Sequence, residues 1–169
     1  MTPEICGGCG AALPAVEGPV HRYMTSSPAC WAAYGAVLAR EYGDRRYARL
    51  HRMSVDAYAV QHPGTESPQA IQSVAVHLSR LCLVLEEGFS MEQANDAMLA
   101  IQTVEGKFRW LEPPANRGEI TVAEVLAATT PEEHLARVEA WARSVWAAWG
   151  PQHATVRGWL PAGLRRNTR

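Results

Sequence analysis

Lysine is almost missing from this chain of 169 residues: Lys107 is the only one, and the other cationic residues are arginines. Alanine is abundant as well, so the skew reads as compositional bias and carries no function. A basic excess is also lacking. Lys+Arg number 16 against 17 Asp+Glu, for a formal net charge of -1 and a pI near 6.6. That argues against a general nucleic-acid binder, which carries a large basic surplus. The one basic cluster, Arg165, Arg166 and Arg169, reads as a solvated tail. No run reaches the roughly 20 apolar residues of a bilayer span. The most apolar stretch, Ser73 to Leu85, is broken by His77, Ser79 and Arg80. The opening MTPEICGGCG has neither the basic region nor the apolar core of a signal peptide. A cytoplasmic location and no membrane partner are therefore expected.

What is present suits a globular domain. The chain is 47% hydrophobic and 20% charged, and at this length it can bury a core without disulfides. In a reducing compartment its four cysteines read as metal ligands, redox groups or buried thiols.

Residues 1–27 differ from the rest. Gly7, Gly8, Gly10, Gly18, Pro3, Pro14 and Pro19 crowd into them with little periodicity, which predicts a loop-rich arm. Beyond it the punctuation is helical. Ser27-Pro28 caps a first helix that Gly43 ends. A second covers Arg46 to Gln61 and stops at Pro63-Gly64. Ser67-Pro68 opens a third, closed by Gly88. Capping boxes at Ser90 and Thr121 start two more, to about Gln102 and Ala128. Residues 103–120 form a long loop. Thr130-Pro131 heads a long helix to Gly150, and a short one follows through Trp159. Apolar residues recur at steps of three and four in Ile71, Val74, Leu78, Leu81 and Leu85, and again in Leu135, Val138, Trp141, Val145 and Trp149. No strict alternation suggests a sheet. The prediction is an all-α fold: a helical bundle over residues 28–169 with the arm, residues 1–27, pinned to it as one compact unit.

Cys6-Gly-Gly-Cys9-Gly10 is the sharpest motif. Two thiolates so spaced can bind one tetrahedral ion, and glycines let the backbone turn so that both sulfurs converge. Cys30, in the first turn of the first helix, is a third candidate, because the positive helix end favours a thiolate. One histidine would complete a Cys3His zinc site. His62 and His21 are the leading choices, with His51 and His77 also open. The competing readings are a free thiol pair on a loose arm and a redox pair. The latter is disfavoured by the lack of a strand before the motif. Cys82, beside Leu78, Leu81 and Leu85, reads as a small buried apolar residue.

His51, Val55, Tyr58 and His62 follow one another at helical spacing, with Asp56 on the flank. A short Pro-Gly turn should pack the next helix antiparallel and bring His77 close. Such a cluster is a buried hydrogen-bond network, a source of the fourth metal ligand, or an acid–base site with Asp56 orienting a histidine. The tryptophans read as core or interface anchors.

The combination Cys6-x-x-Cys9-Gly10, Ser27-Pro28-x-Cys30-Trp31 and His51-Arg-Met-Ser-Val-Asp56-Ala-Tyr58-Ala-Val-Gln61-His62-Pro63-Gly64 resembles a bacterial protein family of unknown function. Thr121-Val-Ala-Glu-Val125 and Trp141-Ala-Arg-Ser-Val-Trp146 are similar to it too. The resemblance implies a small single-domain protein whose knuckle, Cys30 and Asp56–His62 segment act as one constellation. It implies no reaction.

Two functions are expected. A closed Cys3His shell, with no nucleophile motif or phosphate loop, favours a zinc protein whose metal is structural and which serves as a binding module, through an apolar patch bearing exposed tryptophans. The alternative is a metal-dependent or His/Asp acid–base enzyme acting on a small molecule. In it His51, Asp56 and His77 are catalytic, and Tyr58 and Gln61 orient the substrate.

Overall fold

Proline-led caps start the main helices. The computed structural model describes residues 2–102 and 106–165. A hairpin of β1 (Pro3–Ile5) and β2 (Ala12–Pro14) leads into α1 (Pro28–Gly43), α2 (His51–Gln61), α3 (Pro68–Leu85) and α4 (Met91–Gln102). After a long connection come α5 (Val122–Leu126), α6 (Pro131–Ala148) and α7 (His153–Trp159). The Ser27 hydroxyl accepts from the Cys30 backbone N–H at 3.1 Å, and Ser67 does the same for Ala70. In both cases the proline that follows has no N–H to leave unpaired. Thr121 and Glu124 form the expected capping box on α5.

α2 is the central helix. It packs chiefly on α3 and α6, while α5 lies against α1 and α7 against α3. Eight of its 11 residues are buried. A helix covered on every side has no apolar stripe, so its buried polar groups must be paired internally. Gln61 shows how. Its amide donates to the carbonyls of Arg117 and Ile120, at 3.1 and 2.9 Å, and its oxygen accepts from Trp141 Nε1 at 2.8 Å. Gln61 thereby ties α2 to α6 and to the loop before α5. Trp149 Nε1 adds a 3.0 Å bond to the Val60 carbonyl.

The fold departs from expectation in four places. It is mostly helical but not all-α, because residues 3–14 pair as an antiparallel hairpin, Pro3 opposite Pro14 and Ile5 opposite Ala12. Three-residue strands with proline at their ends are too short to show an alternating pattern. The second helix starts at His51, after a single 3-10 turn at Ala48–Leu50. The buried stripe of α6 is headed by His134, not Leu135. Trp141, Trp146, Trp149 and Trp159 are buried, and Trp31 and Trp110 are half-buried against the core, so no tryptophan patch faces solvent. Of the predicted loop and basic tail, residues 103–105 and 166–169 lie outside the described residues. No helix among the described residues is long and apolar enough to cross a membrane.

Candidate metal centre

The Cys-x-x-Cys segment occupies the tip of the hairpin. The Cys6 N–H donates to the Ala11 carbonyl at 2.9 Å, and the Gly10 N–H donates to the Cys6 carbonyl at 2.8 Å. Gly10 completes the turn at φ +78°, where a side chain would be strained. Closing the tip this way turns both sulfurs to the same side, toward the start of α1. There the Ser27 cap fixes Cys30 in the first helical turn. From below comes His62, the residue that ends α2.

One ligand atom from each of Cys6, Cys9, Cys30 and His62 lies within 4.8 Å of the others. Cys9 Sγ is 3.7 Å from Cys30 Sγ, and Cys30 Sγ is 3.3 Å from His62 Nε2. A tetrahedron with metal–sulfur bonds of 2.3 Å has sulfur–sulfur edges of about 3.8 Å. The donors therefore already stand at coordination spacing. Cys6, Cys30 and His62 are buried, and only Cys9 is partly open.

His62 has its proton assigned by its surroundings. Its Nδ1 lies 2.8 Å from the Tyr58 carbonyl, which can only accept. Nδ1 therefore carries the hydrogen, and in the neutral ring Nε2 presents a lone pair to the sulfurs, as a metal-binding imidazole requires. Tyr58 supports the site twice more. Its ring stacks between those of Tyr34, at 3.8 Å, and His62, at 4.0 Å. Its hydroxyl donates to Cys30 Sγ at 3.6 Å. Burial pushes the Tyr58 phenol well above its ordinary range, so it stays a donor.

Crowding sets the thiols against one another. Hydrogen bonds from Cys30 and then Cys9 hold the Cys6 thiol far below its usual value. Cys30 is pushed far above, by Cys6, by Cys9 and then by burial. The bond from Cys30 lowers Cys9, but Cys6 and burial outweigh it, and the thiol is pushed up to about 12. The pocket thus accommodates one thiolate unaided. Three thiolates in this space require a cation among them.

Gly8 is where backbone meets ligand. A Cβ there would collide with the Thr25 carbonyl oxygen and with the His62 ring. Arg117 holds the same turn from outside, donating through Nη1 to the Gly7 and Gly8 carbonyls. Gly8→Ala is expected to push the hairpin tip off His62 and weaken metal binding by about tenfold or more, the scale seen when groups supporting a ligand are disturbed. Competition with a chromogenic zinc chelator measures this; unchanged affinity would show that the tip has room to spare.

The other predicted residues are distributed differently. His21 is not part of the cluster. Its Nδ1 accepts from the Tyr23 N–H at 3.3 Å, and its ring stands edge-on to Tyr23 and Trp31. His51 does not meet Asp56; its Nδ1 donates to Glu41 at 2.7 Å. His77 does meet Asp56, at 2.7 Å, as the α2–α3 turn implies. The expected catalytic trio is thus divided between two networks. Tyr58 and Gln61, expected to orient a substrate, are wholly buried and engaged within the core. Cys82 is buried, and burial, then Glu86, push its thiol up to about 12. Glu86 and Glu87 lie close enough to Cys82 to suggest a second ion site. Glu86, however, already accepts two bonds from Arg157 and one from Trp146.

Glu41, Arg40 and His134 have no counterpart in the sequence reading. Glu41, only 2% exposed, accepts from His51, Ser54 and His134. Arg40 donates to the carbonyls of Val125 and Leu126 at the end of α5. The signal was there: Glu41 continues the Tyr34–Val37 stripe of α1, and His134 continues that of Val138 and Trp141.

A family model described as a family of unknown function, DUF5946, matches residues 4–150. The chain belongs to that family. The span matched by DUF5946 runs from within β1 past the end of α6, and it contains all four donors as well as Glu41, Asp56 and His77. No curated protein and no solved structure matches the chain.

Proposed function

We propose that Cys6, Cys9, Cys30 and His62 bind a single Zn2+, that the ion is structural, and that the protein serves as a binding module. The observation that carries this reading is the convergence of three sulfurs and one unprotonated imidazole nitrogen at tetrahedral spacing. Three thiolates and an imidazole suit zinc among the common divalent ions, and four protein ligands leave no position for a water to be activated. The ion would cross-link three parts of the chain that no disulfide joins: the hairpin tip, the start of α1 and the end of α2. Of the six exposed large apolar side chains among the described residues, four lie in the arm: Ile5, Val16, Val20 and Tyr23. A metal-fixed arm is therefore the surface on which a protein partner would be recognised.

Protein purified without added metal is expected to carry about one zinc per chain. Exchange for Co2+ should give the intense visible bands of a tetrahedral thiolate site, unmoved by azide or other small anions. Zinc near zero with four freely titrating thiols would reject the site. Cobalt bands that shift with added anions would show an open coordination position and turn the reading toward catalysis.

A further inference from the structure

The three sulfurs of the candidate metal centre are unequally placed. All are free thiols. Cys6 and Cys30 are 2% and 0% exposed, whereas Cys9 is only partly buried. A cleft of about 400 Å³ opens beside the hairpin tip, with Cys6, Cys9 and Arg117 in its lining. Gly7, Gly8 and Gly10 also line it and bring no side chain to obstruct entry. Arg117 is its one charged lining residue among the described residues. A partly open cysteine in a cationic setting is the kind that reacts with electrophiles.

On the buried side of Cys9 stands a second sulfur. Cys30 Sγ lies 3.7 Å from Cys9 Sγ, so the two are in contact, while a disulfide bond is about 2.05 Å long. Cys30 is held in place. Its N–H donates to the Ser27 hydroxyl at 3.1 Å, and the Tyr58 hydroxyl and His62 Nε2 approach its sulfur at 3.6 and 3.3 Å. Closing the remaining gap falls to Cys9, which sits on the hairpin turn and not in a helix. One reachable sulfur touching one buried sulfur is the arrangement of an oxidisable cysteine with its resolving partner. The pair is not the Cys-x-x-Cys itself: it joins the hairpin tip to α1.

We propose that Cys9 is an oxidation site for hydrogen peroxide, and that Cys30 resolves the product into a Cys9–Cys30 disulfide that opens the metal centre. This rests on the reading of the four donors as a zinc site. The Cys9 thiolate attacks one peroxide oxygen. The O–O bond breaks, a sulfenic acid forms, and the departing hydroxide takes a proton from solvent. The Cys30 thiolate then attacks the Cys9 sulfur. The S–S bond forms, the S–O bond breaks, and a second hydroxide leaves as water with a second proton. Two thiolates, one peroxide and two protons give one disulfide and two waters; the sulfurs supply the two electrons that reduce the peroxide. Cys6 and His62 then remain as donors, too few for the four-ligand shell of a structural ion. The hairpin tip stays tied to α1, while its link to α2 through the ion is lost.

The test uses the whole chain as purified, with its zinc measured first. Hydrogen peroxide is added beside a chromogenic zinc chelator. Samples are quenched by alkylation, digested without reductant and mapped by mass spectrometry. Zinc release and a Cys9–Cys30 disulfide should rise together to about one of each per chain, with Cys82 still a free thiol. Dimedone should trap Cys9 and lower the disulfide yield, and dithiothreitol with added zinc should restore the bound ion. Cys9→Ser, loaded with zinc, should show peroxide-dependent release at least about tenfold slower. Zinc retained with every thiol alkylated, a principal disulfide through Cys6, or equal release from Cys9→Ser would overturn the proposal. A chain that carries no zinc before peroxide is added would reject the metal reading instead, and the disulfide map of that same chain would still decide the pairing.

Discussion

Removing the metal is expected to lower the melting temperature by about 20 °C. Binding of structural zinc is coupled to folding, and zinc-finger peptides gain about 10–16 kcal/mol from it. This chain has its own helical core, so only part of that scale applies. A loss of about 6 kcal/mol, at about 3 °C per kcal/mol for a chain of this size, gives the stated shift. The loss should be unevenly distributed among the ligands. Cys30 is fully buried, faces Cys9 and His62, and receives the Tyr58 hydroxyl. Cys30→Ser should therefore approach the effect of full metal removal. Cys9 is the one partly open ligand, and in Cys9→Ser a water can take the vacated position. That variant should keep zinc at reduced affinity and melt between the other two. Acid should act in the same direction, because protons compete with the ion for thiolates and imidazole and metal release sets in as the pH falls. Calorimetric melts of zinc-loaded, chelated, Cys30→Ser and Cys9→Ser protein give the order. Equal melting temperatures for loaded and chelated protein would mean that the ion, if bound, holds nothing together.

Local chemistry accounts for what the sequence makes legible. Ser-Pro caps, capping boxes and Pro-Gly stops act over a few residues, and they mark the helix starts at Pro28, Pro68, Val122 and Pro131. The three cysteines are legible for the same reason, since a Gly-Gly spacer and a helix cap each direct a sulfur locally. The choice between His21 and His62 is not local. Both have aromatic neighbours, and the approach of the hairpin tip to the end of α2 alone separates them. α2 misleads by the same logic. His51 and His62 fall on one side of an ideal helix, yet α1 takes His51 through Glu41, and the hairpin meets His62. The hairpin itself is invisible because its pairing is backbone to backbone over three residues a side, leaving no side-chain period to read.

Glu41→Ala is expected to cost about 3–5 kcal/mol, the scale for stripping the partner from buried polar groups. The carboxylate is the meeting point of three helices. From α1 it receives the His51 ring and the Ser54 hydroxyl of α2 and, at 3.0 Å, His134 Nε2 of α6. His134 cannot turn its ring for relief, because its Nδ1 faces Arg40 Nη1 at 3.4 Å and that edge must accept. In Glu41→Ala the Ser54 and His134 donors, both fully buried, lose their acceptor. Glu41→Gln should be milder but still unfavourable, since its amide nitrogen would point a donor at donors. Ser54→Ala alone removes one of three bonds and should cost about 1 kcal/mol. If the carboxylate is the shared acceptor, the two changes are not additive. Glu41→Ala/Ser54→Ala should then be less damaging than the sum of the single losses, by about 1 kcal/mol, because the second change removes a group the first has already orphaned. Urea unfolding of the three variants gives the cycle. A Glu41→Ala loss below about 1 kcal/mol would show that the histidines and Ser54 find other acceptors, and that α1, α2 and α6 are held by apolar packing alone.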